Sequence, residues 1–128
     1  MILYIDTHDF NKATIALLEK NSFFEHNWEG NDLSETLLPN IEKLLRKAKT
    51  DVGGLEKIVV ITGPGGFSRI RTAVAVGNSF AYALNIPILG LKSGSKIEYK
   101  KFLKAKGQKM VAPAYGAKPN ISKPKRKF

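Results

Sequence analysis

The stretch KIVVITGPGGFSRIRTAVAVGNSFAYALNIPILGL, residues 57–91, holds the reading that decides the fold. Residues 57–62 are β-branched and apolar, as in a strand covered on both faces. Gly63-Pro64-Gly65-Gly66 turns the chain. Residues 67–85 then read as a helix rich in small side chains, and residues 86–91 return to an apolar strand. Strand, helix and strand at this spacing imply a parallel pair with a right-handed crossover. At 100° per residue, Ile70, Ala73, Val74, Val76, Gly77, Phe80, Ala81 and Leu84 should face the sheet. Arg71, Thr72, Ala75, Asn78, Ser79 and Tyr82 should face away, with centres small enough for a partner helix to approach.

Upstream, three short segments, Ile2–Asp6 and residues 13–18 and 23–28, are separated by polar turns and read as an antiparallel meander. A helix follows them. Asp32 suits its N-cap, and Glu35 three residues later suits a capping box. Leu33, Leu37, Leu38, Ile41, Leu44, Leu45 and Ala48 fall within an arc of roughly 140°. Pro39 should kink the helix near its second turn, and Lys47 and Lys49 suit the dipole at its end. The element order is therefore βββαβαβ, an α/β domain with a mixed five-stranded sheet. Strand order 3-2-1-4-5 would put both helices on one face, because both crossovers share a hand. Their outward sides would then form one two-helix surface. The first helix would offer Leu38, Ile41 and Leu45; the second would offer Arg71, Thr72, Ala75, Asn78, Ser79 and Tyr82.

Downstream the pattern weakens. A short basic helix is expected within residues 95–105, and little regular structure in the Pro-, Gly- and Lys-rich residues 109–128. Charge divides the chain at the same place. The net charge is +10, yet residues 1–91 sum to −1 and residues 92–128 to +11. The expected organisation is a lobe over 1–91 and a basic, partly disordered extension over 92–128. Such an extension is attracted to polyanions by counterion release, and Lys118, Lys123, Lys125, Arg126 and Lys127 are candidate RNA contacts. A solvated tail that keeps the protein soluble explains the same composition.

Catalytic chemistry finds little support. Gly63–Ser68 could cradle phosphate at a helix N-terminus, but the Lys-Ser/Thr pair of a P-loop is missing and no third glycine completes a dinucleotide fingerprint. A tight turn explains the glycines better. Asp6-Thr7-His8 could be a remnant metal loop, but no Gly-rich hairpin stands beside it, and a turn explains these residues better. The only histidines, His8 and His26, lack metallopeptidase spacing, and there is no cysteine. No catalytic, cofactor or metal residue is assigned. No apolar run approaches the roughly 20 residues of a membrane span. The opening MILYIDTH does not read as a secretory leader, so a cytoplasmic location is expected.

Several segments resemble a known family. MILYIDTH is similar to the first strand of actin-like (ASKHA) proteins, and Ser34-Glu35-Thr36-Leu37-Leu38-Pro39 resembles a helix entry of the TsaB (YeaZ) family. The most specific match is Gly63-Pro64-Gly65-Gly66-Phe67-Ser68-Arg69-Ile70-Arg71, which looks like that family's GPGSFTGLRIG motif. Gly63, Pro64, Gly65, Phe67, Ser68 and Arg71 carry it. Gly66, Ser68, Arg69 and Thr72-Ala73 depart from its Ser, Thr, Gly and Ile-Gly. The resemblance implies an actin-like, ribonuclease H-like half-domain, apparently without the family's second lobe. It further implies a pseudoenzyme: a non-catalytic partner of a TsaD-like protein in tRNA threonylcarbamoyladenosine formation. Pairing would use the two helices, as a heterodimer or as a homodimer, with tRNA reached through the complex or the basic arm and no membrane involved. An RNA-binding protein acting through the arm, or a degenerate phosphotransferase or peptidase-like enzyme, are the alternatives.

Overall fold

The computed structural model describes residues 1–114. The tail residues named above as RNA contacts, Lys118 to Lys127, lie outside the described residues. Strands β1 (Ile2–Asp6), β2 (Lys12–Leu18) and β3 (Phe23–Glu29) form the expected meander. They are followed by α1 (Leu33–Lys47), β4 (Lys57–Gly63), α2 (Phe67–Leu84), β5 (Ile88–Lys92) and the short α3 (Tyr99–Lys104). The sheet order is β3-β2-β1-β4-β5, with β1 antiparallel to β2 and parallel to β4. β5 runs parallel to β4, so the sheet is mixed as expected.

Why these residues take these places follows from which face they show. Leu3, Ile5, Ile15, Leu17, Ile58 and Val60 point to the side carrying α1 and α2, in one apolar cluster with Leu37, Ile41, Leu44, Ile70, Ala73 and Ala81. Both helices therefore share one face, and they touch each other as well as the sheet. The alternate residues Ile2, Tyr4, Ala16, Leu18, Val59 and Ile61 point the other way. They are covered by Phe102 of α3, whose ring stacks on Tyr4 with centroids 6.2 Å apart. β4 lies inside the sheet, between β1 and β5, and is buried along its whole length.

Several boundaries differ from expectation. The capping box at α1 does not form: Asp32 makes no side-chain cap, and its carbonyl instead accepts from Glu35 and Thr36 N–H. Pro39 sits inside α1 without ending it. Lys49 lies beyond the helix, in a left-handed conformation. α2 stops one residue early because Asn85 turns left-handed, φ 55°, which lets Ile86 N–H reach Ala81 O at 3.0 Å. β5 consequently starts two residues later than expected, since Ile86 is spent on this cap and Pro87 has no N–H to give a ladder.

The chain beyond β5 stays on the lobe throughout its described length. Lys57, 5% exposed, donates from Nζ to the carbonyls of Phe102 (2.8 Å), Leu103 (3.3 Å) and Ala105, closing the C-terminal end of α3. Gln108 exchanges both backbone hydrogen bonds with Ile88, and Ala114 N–H reaches Thr62 O at 2.7 Å. Residues 108–114 thus form a strap along the β5 edge of the sheet.

Candidate functional site

The glycine turn sets the position of α2. Gly65 approaches the end of β1 so closely that a Cβ there would lie 2.5 Å from His8 O. Gly66 N–H donates to the same carbonyl at 3.1 Å. The buried Thr7 hydroxyl donates to Arg69 O at 2.8 Å, one turn into the helix. These bonds pin the start of α2 to β1. The turn is closed against backbone, as the tight-turn reading requires, and Asp6 and His8 belong to the same junction. Asp6 Oδ1 accepts from His8 N–H at 3.1 Å and lies 2.6 Å from His8 Nδ1, while Tyr4 OH donates to Asp6 Oδ2 at 3.3 Å. Burial, then the Asp6 charge and that bond, push the Tyr4 phenol well above the ordinary tyrosine range. Asp9, in the following loop, is held below the carboxylate range by bonds from Asn11 and Lys12 N–H. Among the described residues, no group of three or more His, Cys, Asp or Glu side chains could hold a metal ion.

So placed, α2 lies beside α1 and leaves an apolar groove between them. One stretch, about 350 Å³, is lined by Leu38, Ala75, Val76, Ser79, Phe80 and Ala83. It continues past Pro39, Glu42 and Val52 as a second recess of about 340 Å³. Leu38 on one side is 52% exposed, and Tyr82 stands 89% exposed on α2. Ser79 Oγ donates to Ala75 O at 2.8 Å and Thr72 Oγ1 to Ser68 O at 3.0 Å, so these hydroxyls are folded back on their own helix. The surface they leave is smooth and weakly polar. Arg71 is exposed and lies over the Phe67 ring, 5.5 Å from its centroid.

Not every residue expected on this face is there. Leu38, Arg71, Ala75, Ser79 and Tyr82 are exposed, and Thr72 is half-buried. Ile41 and Leu45 are 1% and 5% exposed and belong to the core beneath α1; they floor the recess rather than form its rim. The broad apolar arc of α1 did not reveal which of its leucines turns outward. Asn78 is not available either. Its Nδ2 donates to Val111 O and its Oδ1 accepts from Val111 N–H, both at 2.9 Å. The strap therefore clasps α2 at this point, and a depression of about 860 Å³ opens between Arg71, Thr72 and Ala75 on one side and Met110 and Val111 on the other. Sequence reasoning missed Val76, Phe80 and Ala83 as groove residues, because the first two were assigned to the sheet side. It missed the clasp as well; the lone Asn in a row of small residues was its only trace.

Trp28 and His26 support the opposite edge of α1. Trp28 Nε1–H donates to Thr36 Oγ1 at 3.1 Å, and His26 Nε2 lies 2.9 Å from Asn40 Oδ1. Their rings stack with centroids 5.6 Å apart. Both are packing residues of the α1–β3 contact, as is Phe24.

Comparison with known proteins gives the family of the chain. A family model described as TsaD, tRNA N6-adenosine threonylcarbamoyltransferase, matches residues 30–118. The chain is 31% identical over 109 residues to the tRNA threonylcarbamoyladenosine biosynthesis protein TsaB of Buchnera aphidicola (subspecies Schizaphis graminum), covering 85% of this chain and 48% of that one. It is 30% identical over 93 residues to TsaB of Bacillus subtilis, covering 72% and 41%. Among solved structures, YeaZ from Pseudomonas aeruginosa superposes with a TM-score of 0.68 at 28% identity, over 71% of this chain and 44% of that one. The chain thus spans about half the length of these relatives.

Proposed function

Since the chain belongs to the family described as TsaD, tRNA N6-adenosine threonylcarbamoyltransferase, as a homologue of TsaB, we propose that it is a non-catalytic partner of a TsaD-like enzyme in threonylcarbamoyl transfer to tRNA. The observation that carries the reading is the outward face of α1 and α2. An apolar groove runs between the two neighbouring helices on one face of the sheet, with Leu38 and Tyr82 exposed beside it and small side chains at its centre. Two helices from a partner could lay into that groove as a four-helix bundle at about 20° crossing angles. Ala75, Ser79 and Ala83 would permit close approach, while Leu38 and Tyr82 would supply the buried anchors on which interface energy concentrates. The partner surface in this reading is Leu38, Arg71, Thr72, Ala75, Ser79 and Tyr82, with a TsaD-like lobe as occupant and a second copy of the chain as the competing one. The lobe acts as a scaffold, and the reaction belongs to the partner. No helix among the described residues is long and apolar enough to cross a membrane, and the reading carries a cytoplasmic location with it.

The test is a pair of charge insertions. Ala75→Arg and Ser79→Arg place a long cation at the centre of the groove without touching the sheet. Each should abolish co-purification with a TsaD-like protein while circular dichroism stays that of the wild type. Normal folding together with undiminished pairing would move the interface elsewhere.

A further inference from the structure

The sheet face turned away from α1 and α2 carries a different chemistry. Between residues 92 and 114 there are seven lysines and one acid, Glu98, and all seven lysines are exposed. Among the described residues none of the seven forms an ion pair. They are not on a loose segment. Phe102 is 2% exposed and stacked on Tyr4, and Lys57 holds the last carbonyls of α3 from inside the sheet. With Phe102 inward, Lys100 and Lys104 lie on the opposite side of α3, one turn apart. Like charges at that spacing repel, and the neighbouring Glu98, at the start of α3, forms no ion pair with them among the described residues. The fold therefore holds Lys96, Lys100, Lys101 and Lys104 together on a fixed platform, while Lys109 lies on the strap that clasps α2.

Recesses lie beside those cations. Lys96 and Lys101 flank a cleft of about 270 Å³ between α3 and β5, floored by Leu89, Leu91 and Phe102. Past the start of α3, Tyr99 and the half-exposed Phe23 line another of about 340 Å³, with Lys20 at its edge. Cations alternating with apolar and aromatic recesses suit a strand whose phosphates and bases alternate in the same way. Glu25 and Glu29, at the outward-alternating positions of edge strand β3, bound the patch on its far side. A polyanion would be steered along α3 and the β5 edge and kept off β3.

We infer that the α3 face binds single-stranded RNA, with Lys96, Lys100, Lys101 and Lys104 on the phosphodiester backbone and the flanking recesses taking bases. This surface is ordered, differs from the tail lysines, and stands independently of helix-mediated pairing, because it occupies the other side of the sheet.

The experiment is a salt titration of a labelled single-stranded RNA of about 15 nucleotides on the full chain, spanning several short segments of contact. Each phosphate contact on a single strand contributes about 0.7 to the slope of log K against log salt. Replacing Lys96, Lys100, Lys101 and Lys104 together by Gln should flatten the slope by nearly 3 and weaken binding at least tenfold at ~0.1 M salt. The same number of Gln substitutions at Lys118, Lys123, Lys125 and Lys127 should have the smaller effect. Ala75→Arg should leave RNA binding unchanged, and the lysine variants should leave pairing unchanged, so each reading can fail alone. The inference is overturned if the α3 variant keeps the wild-type slope, or if the tail variant accounts for the whole loss. It is also overturned if polyglutamate displaces the RNA at equal charge concentration, which would make the surface one for acidic protein, or if single-stranded DNA of the same sequence is bound and the RNA is not.

Discussion

The two faces of the sheet are built from alternate residues of the same strands, yet they are covered in opposite ways. Under α1 and α2 the cover is broad: two long helices contribute about a dozen buried residues, all but one of them uncharged, the exception being Arg69, whose guanidinium donates to Gly30 O. Under α3 the cover is short: one fully buried ring, Phe102, with Ile97 and Tyr99 packed beside it and one buried ammonium, Lys57, beneath. A thick cover distributes its stabilisation, so its outer side is free to be shaped for something else. A thin cover concentrates it, and its few anchors become indispensable to whatever the outer side does.

The largest expected effect tests that contrast directly. Phe102→Ala removes the only fully buried side chain of α3 and should cost about 3–5 kcal/mol in urea denaturation. Leu37→Ala under the thick cover should cost about 2–5 kcal/mol and leave α3 amides as protected as the rest of the molecule. Amide exchange separates the two faces: Phe102→Ala should release residues 99–105 first. If both variants lose protection uniformly, the faces are not energetically distinct.

A smaller effect is expected where the strap meets α2. Asn78→Ala removes both bonds to Val111 and should cost about 1–2 kcal/mol. The loss should appear as faster exchange of the Val111 amide with α2 itself unchanged. A uniform loss across α2 would mean that the strap supports the whole thick face.

The mildest effect appears only in alkali. Tyr4 titrates higher in the fold than in the unfolded chain, where the phenol loses its proton near pH 10. Above that pH the unfolded state sheds a proton that the folded state keeps, so stability falls as pH rises, by up to about 1.4 kcal/mol per pH unit. Lys57 acts in the opposite sense. Burial lowers its pKa, so its contribution rises with pH until the unfolded lysine also deprotonates. Tyr4→Phe should therefore flatten the alkaline decline above about pH 10, measured as denaturation midpoints from pH 9 to 11. An unchanged decline would place the titrating group elsewhere.

Much of this architecture was legible in the sequence, because it rests on periodicity. Residues 57–62 read as a buried strand, and for the strand order 3-2-1-4-5 the shared hand of the crossovers puts both helices on one side. What escaped were contacts between a side chain and distant backbone. Lys57 was not distinguished from the apolar strand it begins; its partners are carbonyls some 45 residues away. Asn78 read as an outward polar residue, and it is bonded to a peptide group that no pattern marks. Asp32 and Glu35 had the spacing of a capping box, but local spacing does not guarantee the dihedrals that close one. On the candidate face, the small residues of α2 were found by helical phase, while Ile41 and Leu45 were misplaced because an arc of roughly 140° has two edges and only one turns outward.

Lys57 also imposes an order on biosynthesis. β4 leaves the ribosome well before residues 102–105, so for a time the strand exists without the oxygens that receive its ammonium. During that interval the lysine is best served by water, and the first turn of β4 resists closing into the sheet. Arrival of α3 removes the obstacle. Burial of the Lys57 end of this interior strand is thus tied to a helix some forty-five residues further along the chain.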